Sequence, residues 1–202
     1  MSLKKHQKII KRLLDIILSF FGLVLSFPFL IVILILSSID TKSFGIISQT
    51  RIGRFGRPFK LYKFKTMRDT NQPQMYITTI NDPRITSFGR LLRKLKLDEI
   101  PQLWNVLIAD MSFVGPRPDV PGYADKLKGE DRVILQVKPG ITGPASLAFK
   151  DEEELLAQKQ DPKKYNDEVI WPKKVKINKE YIKQFSIYKD LKYILKTIAL
   201  TH

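Results

Sequence analysis

Asp98 and Glu99 are adjacent carboxylates that close a cationic run containing Arg90, Arg93, Lys94 and Lys96. An ionised carboxylate can act as an oxygen nucleophile or as a ligand for a hard cation such as Mg²⁺. Two neighbouring acids repel, so keeping both ionised requires compensating charge; a helix start and the cations Arg93 and Arg117 are positioned in sequence to supply it. Other chemistries lack their parts. Cysteine is absent, which removes disulfides, thiolate nucleophiles and thiolate metal sites together. The only two histidines, His6 and His202, lie near opposite ends of the sequence, which disfavours a Ser/His pair or a two-histidine metal site.

Two further stretches can meet an anion. Gly115-Pro-Arg117-Pro and Lys138-Pro-Gly-Ile-Thr-Gly143 are rigid glycine-punctuated loops, each with one cation, whose backbone amides could turn toward phosphate. Tyr62-Lys63-Phe64-Lys65 alternates aromatic and cationic residues. Each feature has a plainer reading. Asp98 caps a helix and Glu99 favours its first turn; the lysines line an exposed strand face; Arg117 is a surface turn cation. Taken singly, none is diagnostic.

These residues need elements to hold them. Gly45–Ile52 and Phe59–Met67 read as short strands of a basic hairpin joined by the turn Gly53–Pro58. Asp69–Asp82 reads as a polar loop, and Thr86–Leu97 as a basic amphipathic helix able to lie on a membrane surface. A second helix is expected over roughly Glu99–Ile108, with Asp98 as N-cap and Pro101 tolerated in its first turn. Asp151–Glu168, with seven acids against three lysines, reads as a solvated helix and loop and is assigned no chemistry. Glu180–Leu200 has helical apolar spacing through Ile182, Phe185, Tyr188, Leu191 and Leu195, a second candidate for lying on lipid or on the core.

Before all of these comes Leu13–Leu36, 24 residues with Asp15 as the only charge, long enough as a helix to cross a bilayer core. The run is too long for the apolar part of a cleaved signal peptide. Both flanks are basic: Lys4, Lys5, Lys8, Lys11 and Arg12 before it, Lys42, Arg51, Arg54, Arg57 and Lys60 after it. Symmetric positive flanks favour both ends on the cytoplasmic side. Pro28 removes a backbone donor mid-run, and Ser26 can bond a freed carbonyl, so the helix could bend and leave by the leaflet it entered. A bitopic helix with a tolerated proline fits the sequence physics as well. The net charge of +15 points to an anionic partner, whether phosphorylated substrate, anionic lipid or nucleic acid. A membrane-anchored nucleic-acid-binding protein and a bitopic lipid-holding scaffold therefore stand beside an enzyme as readings.

The joint pattern separates these readings. Arg12-Leu-Leu-Asp15 opens the apolar run, followed in order by Gln49-Thr-Arg-Ile-Gly53, Lys60-Leu-Tyr-Lys-Phe-Lys-Thr-Met67 and Arg93 through Asp98-Glu-Ile-Pro-Gln-Leu-Trp-Asn-Val-Leu107. Asp110-Met-Ser-Phe-Val-Gly-Pro-Arg-Pro118 and Lys138-Pro-Gly-Ile-Thr-Gly143 complete it. This order, over most of the chain, resembles the monotopic phosphoglycosyl transferases, the bacterial sugar transferases. The resemblance implies an α+β fold: a re-entrant membrane helix-break-helix over residues 1–40, then a cytosolic catalytic domain over 41–202 with a small basic β-hairpin and amphipathic helices at the membrane surface. It implies transfer of a phospho-sugar from a UDP-sugar to polyprenyl phosphate with Mg²⁺, releasing UMP, at the cytoplasmic face of the bacterial inner membrane. By motif, Asp98 is the nucleophile forming an aspartyl-phosphosugar intermediate, and Glu99 helps hold Mg²⁺. Arg93, Arg117 and Lys63 or Lys65 bind phosphate, and Ser26 and Pro28 mark the membrane break. Anionic lipid is an expected partner and nucleic acid is not. Family members usually carry Ser-Pro at the break, where Phe27 intervenes here, and often have Arg before Pro-Gly-Ile-Thr-Gly and a Trp soon after. Here Lys138 and Pro144-Ala-Ser-Leu occupy those positions.

Overall fold

A computed structural model of the chain describes residues 5–69 and 82–199. The expected loop Asp69–Asp82 falls almost wholly outside the described residues, as do Lys4, Leu200 and His202.

Helix α1 (Lys5–Thr41) carries the apolar run and continues through Pro28 without interruption. Ser26 and Pro28, expected to mark the membrane break, both lie inside this helical run. A proline removes one donor, whereas ending the helix there would orphan a full turn of amides and carbonyls at each new terminus, a larger cost in an apolar segment. Ser26 does not serve the carbonyl that Pro28 frees, four residues before it at Val24. Its hydroxyl donates to the Gly22 carbonyl at 2.6 Å, an ordinary back-bond within the helix.

Both ends of α1 dock on the remainder of the chain. Near its start, Arg12 donates to the carbonyls of Val106 and Leu107 at 2.6 and 2.8 Å. Asp15, almost fully buried, accepts from the Ser112 hydroxyl and the Phe113 amide at 3.0 Å each. Near its end, buried Ser37 donates to the Lys65 carbonyl. The stretch between is exposed and apolar, with Leu25 and Phe29 73% and 68% accessible.

Strands β1 (Ile46–Ile52) and β2 (Pro58–Phe64) pair antiparallel, Ile46 opposite Phe64 and Ile52 opposite Pro58, and β2 ends short of the expected Met67. Thr86 caps α2 (Ser87–Lys94) by accepting from the Gly89 amide at 2.9 Å. A 3₁₀ turn, Leu97–Glu99, separates it from α3 (Gln102–Leu107). Fully buried Asn105 fastens α3 to the hairpin, donating to the Lys60 carbonyl at 2.7 Å and accepting from the Tyr62 amide at 3.1 Å.

The glycines of the two motifs serve packing. Each motif follows or starts a short strand, β3 (Ser112–Val114) and β4 (Gly140–Thr142), and the strands pair parallel. The Gly115 amide donates to Thr142 and the Gly140 amide to Pro116, so these amides are not available to an anion. A Cβ on Gly140 would lie 2.1 Å from the Gly115 nitrogen, which explains why backbone alone fits.

Beyond β4 come α4 (Pro144–Ala148), α5 (Glu152–Ala157), α6 (Pro162–Tyr165), α7 (Trp171–Lys183) and α8 (Ile187–Ala199). The expected single helix over Glu180–Leu200 is two helices. The turn between them returns Asp190 of α8 to the Tyr181 hydroxyl of α7, 2.8 Å away, a contact impossible nine residues apart along one helix. Asp190 also pairs with Lys11 of α1. Val175, Tyr181 and Ile182 of α7 form the main core with Ile52, Val114, Ile134 and Leu135. Tyr188, Leu191, Leu195 and Ile198 make an exposed apolar stripe along α8.

Candidate active site

Lys96, in the left-handed region at φ 56°, ends α2 and turns the chain so that the 3₁₀ turn faces β2. A long side chain seldom adopts this conformation, and it is characteristic of functional turns. Glu99 then meets two cations from separate elements. Arg117, from the loop after β3, approaches with Nη2 2.5 Å from Oε1 and Nη1 3.4 Å from Oε2; Lys63 of β2 places Nζ 3.2 Å from Oε1. Burial alone would raise the Glu99 carboxyl, but the charges of Arg117 and Lys63, with the Arg117 hydrogen bonds, hold it well below the usual carboxylate range. The same pairing raises Arg117 above its ordinary value, against burial. Lys63 is lowered by burial, which Glu99 only partly offsets.

Asp98 behaves differently. It is 8% exposed, yet no described residue donates a hydrogen bond to it. It therefore caps no helix, and α3 starts four residues later than Asp98. Burial first and Glu99 second raise its carboxyl above the ordinary range; Lys63, Arg93 and Arg117 oppose this without cancelling it. The cations expected to keep both acids ionised lower the Glu99 carboxyl through direct contacts, whereas Asp98 feels them only through space and stays raised.

The structure brings Asp98, Glu99, Lys63, Arg93 and Arg117 together. Lys65 is occupied elsewhere, with Nζ 2.7 Å from the Ser43 hydroxyl and paired with Asp69, so between the two lysines only Lys63 reaches the carboxylates. Beside them runs a cleft of about 960 Å³ lined by Arg93, Glu99, Arg117, Glu152 and Lys174 among others. A larger hollow of about 1420 Å³ lies between Arg54, Arg132 and Lys179, away from both carboxylates. Asp119, two residues after Arg117, also lines the cleft. Burial raises its carboxyl to about 7 despite Lys174, Arg51 and Arg117.

The acidic stretch also enters the site. Glu153 pairs with Arg93 at 2.5 Å, and Glu152 with Lys174 at 2.5 Å. Asp119, Glu152, Glu153 and Lys174 carry no local sequence signal for this placement. Arg51 sits inside the Gln49–Gly53 motif, and its buried Nε has no partner. Among the described residues no three His, Cys, Asp or Glu side chains converge as a metal cage. Glu99 is the carboxylate expected to help hold Mg²⁺, an ion commonly bound by one or two carboxylates and completed by substrate phosphates.

Residues 6–202 match the bacterial sugar transferase family. The chain is 33% identical over 196 residues, 95% of its length, to the UDP-glucose:undecaprenyl-phosphate glucose-1-phosphate transferase of Escherichia coli (strain K12), of which it covers 40%. It is 35% identical over 211 residues, 98% of its length, to a galactosyl transferase of Streptococcus agalactiae serotype III (strain NEM316), covering 43%. It is 31% identical over 195 residues, 94% of its length, to the UDP-N-acetylgalactosamine-undecaprenyl-phosphate N-acetylgalactosaminephosphotransferase of Aeromonas hydrophila, again covering 43%. The chain thus spans about two fifths of the length of these curated relatives.

Proposed function

The chain belongs to the bacterial sugar transferase family, and from that premise we propose that it transfers a phospho-sugar from a UDP-sugar to undecaprenyl phosphate through Asp98. The observation that carries this reading is the division of labour between adjacent acids: Glu99, which lines the cleft, is bound by Arg117 and Lys63, and among the described residues none donates a hydrogen bond to Asp98 next to it.

In the first step an ionised Asp98 oxygen attacks the donor's β-phosphorus, the bond from that phosphorus to the oxygen bridging the two phosphates breaks, and UMP leaves. In the second, an ionised oxygen of the polyprenyl phosphate attacks the same phosphorus and the Asp98 carboxylate departs, giving a polyprenyl diphosphate sugar. Phosphoryl transfer requires positioning and neutralisation of equatorial oxygens more than proton transfer, which suits a site supplied with guanidiniums and lacking histidine. Arg93 and Arg117 flank the carboxylates as phosphate-binding groups, and the raised proton affinity of Asp98 makes its ionised form the stronger nucleophile. Glu99 would help to hold Mg²⁺, which when bound would supply further charge neutralisation at the diphosphate.

Membrane attachment follows from α1. Its apolar middle is exposed while Arg12 and Asp15 near one end and Ser37 near the other all bind the same body of the chain. A segment with both ends tied to one polar domain favours entry and exit on a single, cytoplasmic face over a crossing. The stripe on α8, with exposed Leu91 of α2 and Trp104 of α3, supplies further apolar surface to rest against lipid. The test of the reaction is UMP release: purified protein with Mg²⁺, undecaprenyl phosphate and a panel of UDP-sugars releases UMP, and Asp98→Asn does not.

A further inference from the structure

The cleft continues past the charged cluster into a region of different character. Trp171, Lys174 and Asn178 stand at i, i+3 and i+7 on α7, so one helix face presents all three to the cleft. Asn178 is 4% exposed, and its Oδ1 is buried with no partner. Across from it, Ser146 of α4 lines the same cleft, and its Oγ is likewise buried and unpartnered. Buried polar atoms are almost always hydrogen-bonded; two without partners, on residues that line one cleft, point to a ligand that supplies them.

That region is nearly neutral. Lys174 is consumed by Glu152 at 2.5 Å, so no net positive charge is left there for another phosphate. Asp119 contributes a carboxyl that burial brings to about 7, able to donate in one state and accept in the other. Amide, hydroxyl and carboxyl groups beside an indole suit a neutral ring bearing several hydroxyls, each both donor and acceptor.

We propose that Asn178, Ser146 and Asp119, with Trp171 alongside, form the subsite that seats the sugar ring of the donor and selects which sugar is transferred. The inference rests on the transferase reading above and adds the location of sugar recognition to it. Position argues for the sugar over the uridine. Asp119 lies two residues from Arg117, next to the phosphorus that Asp98 attacks, and the sugar is bonded directly to that phosphate. The uracil is separated from it by a ribose and a second phosphate.

The test compares native protein with Asn178→Ala and Ser146→Ala for kcat/KM on a panel of UDP-hexoses and UDP-N-acetylhexosamines, and for inhibition by UMP. The expected result is a fall of about 10- to 100-fold on the preferred donor with a change of at least about fivefold in the ratio between donors, as when a site loses a hydrogen-bonding group. The inhibition constant of UMP is expected to stay within about twofold. Parallel losses for UMP and donors would make this a nucleotide subsite and overturn the proposal; an equal loss on every donor, or none, would also overturn it. Thermal melting identifies any misfolded variant, and Asn178→Ser, which keeps a small polar group, stands in should the alanine form not fold. Native protein that releases no UMP from any donor rejects the transferase reading itself, whereas native turnover with unchanged selectivity in the variants rejects only the sugar subsite.

Discussion

Glu99 and Arg117 meet with Arg117 Nη2 2.5 Å from Glu99 Oε1, and Lys63 reaches the same oxygen at 3.2 Å. The contact fixes a carboxylate that two cations touch directly next to one, Asp98, that they reach only through space. Two acids adjacent in sequence thereby acquire opposite proton affinities from their environments, one below and one above the ordinary range.

The pH dependence of the first step follows from that asymmetry. Only ionised Asp98 attacks, and its carboxyl is raised, so the rate of UMP release in a single turnover should increase with pH through a midpoint above the ordinary aspartate value of about 3.9. Glu99 stays ionised across the same range and adds no second acid limb. Rapid-quench measurement of UMP between pH 4 and 9 checks this; a midpoint at or below the ordinary value would contradict it.

Glu153 occupies Arg93 in this structure, at 2.5 Å, with Glu153 about half exposed. A diphosphate that binds Arg93 must compete with that carboxylate. Glu153→Gln is expected to lower KM for the donor by about two- to fivefold, the scale of one exposed ion pair, with kcat little changed. An increase in KM would show that Glu153 instead assists binding.

Asp119 gives a stability prediction of defined sign. Its folded value of about 7 exceeds the unfolded value, so the folded state holds the extra proton between the two and stability is lost as pH rises through 7. Asp119→Asn should match the native melting temperature near pH 3.5, below the ordinary unfolded value of about 3.9, and exceed it at pH 8. For a chain of this size, about 1 kcal/mol of relief corresponds to about 2–4 °C. An equal difference at both pH values would exclude a buried, proton-binding Asp119.

The arrangement of α1 is tested by single cysteines, a clean probe because the chain contains none of its own. Residues placed at Lys8 and Lys42 should both react with a membrane-impermeant maleimide only after the cytoplasmic side is opened. Reaction of one position from outside would mean that the helix crosses the bilayer.

What the sequence made legible was set by local pattern. The apolar run, the strand alternation around Lys63 and the apolar spacing after Thr86 are short-range signals, and α1, the hairpin and α2 follow them. The site was legible where ordered motifs bring distant residues into one family pattern, as with Asp98, Glu99, Arg93 and Arg117. Tertiary contacts decided the rest. Lys63 and Lys65 are equivalent in sequence, but β2 ends at Phe64 and Lys65 turns to Ser43. Glycines that read as a phosphate cradle are required by the approach of Gly115 to Gly140. An acidic stretch that reads as solvated supplies Glu152 and Glu153 to the cleft because Lys174 and Arg93 wait there. No window of sequence contains both halves of those pairs.

The most direct test of Asp98 as the attacking group is intact-mass spectrometry of the purified protein mixed with Mg²⁺ and UDP-sugars, with polyprenyl phosphate withheld. The expected result is a mass increase equal to one sugar phosphate, mapped to Asp98, absent in Asp98→Asn and discharged when undecaprenyl phosphate is added. Turnover to polyprenyl diphosphate sugar by Asp98→Asn at the native rate would contradict the account.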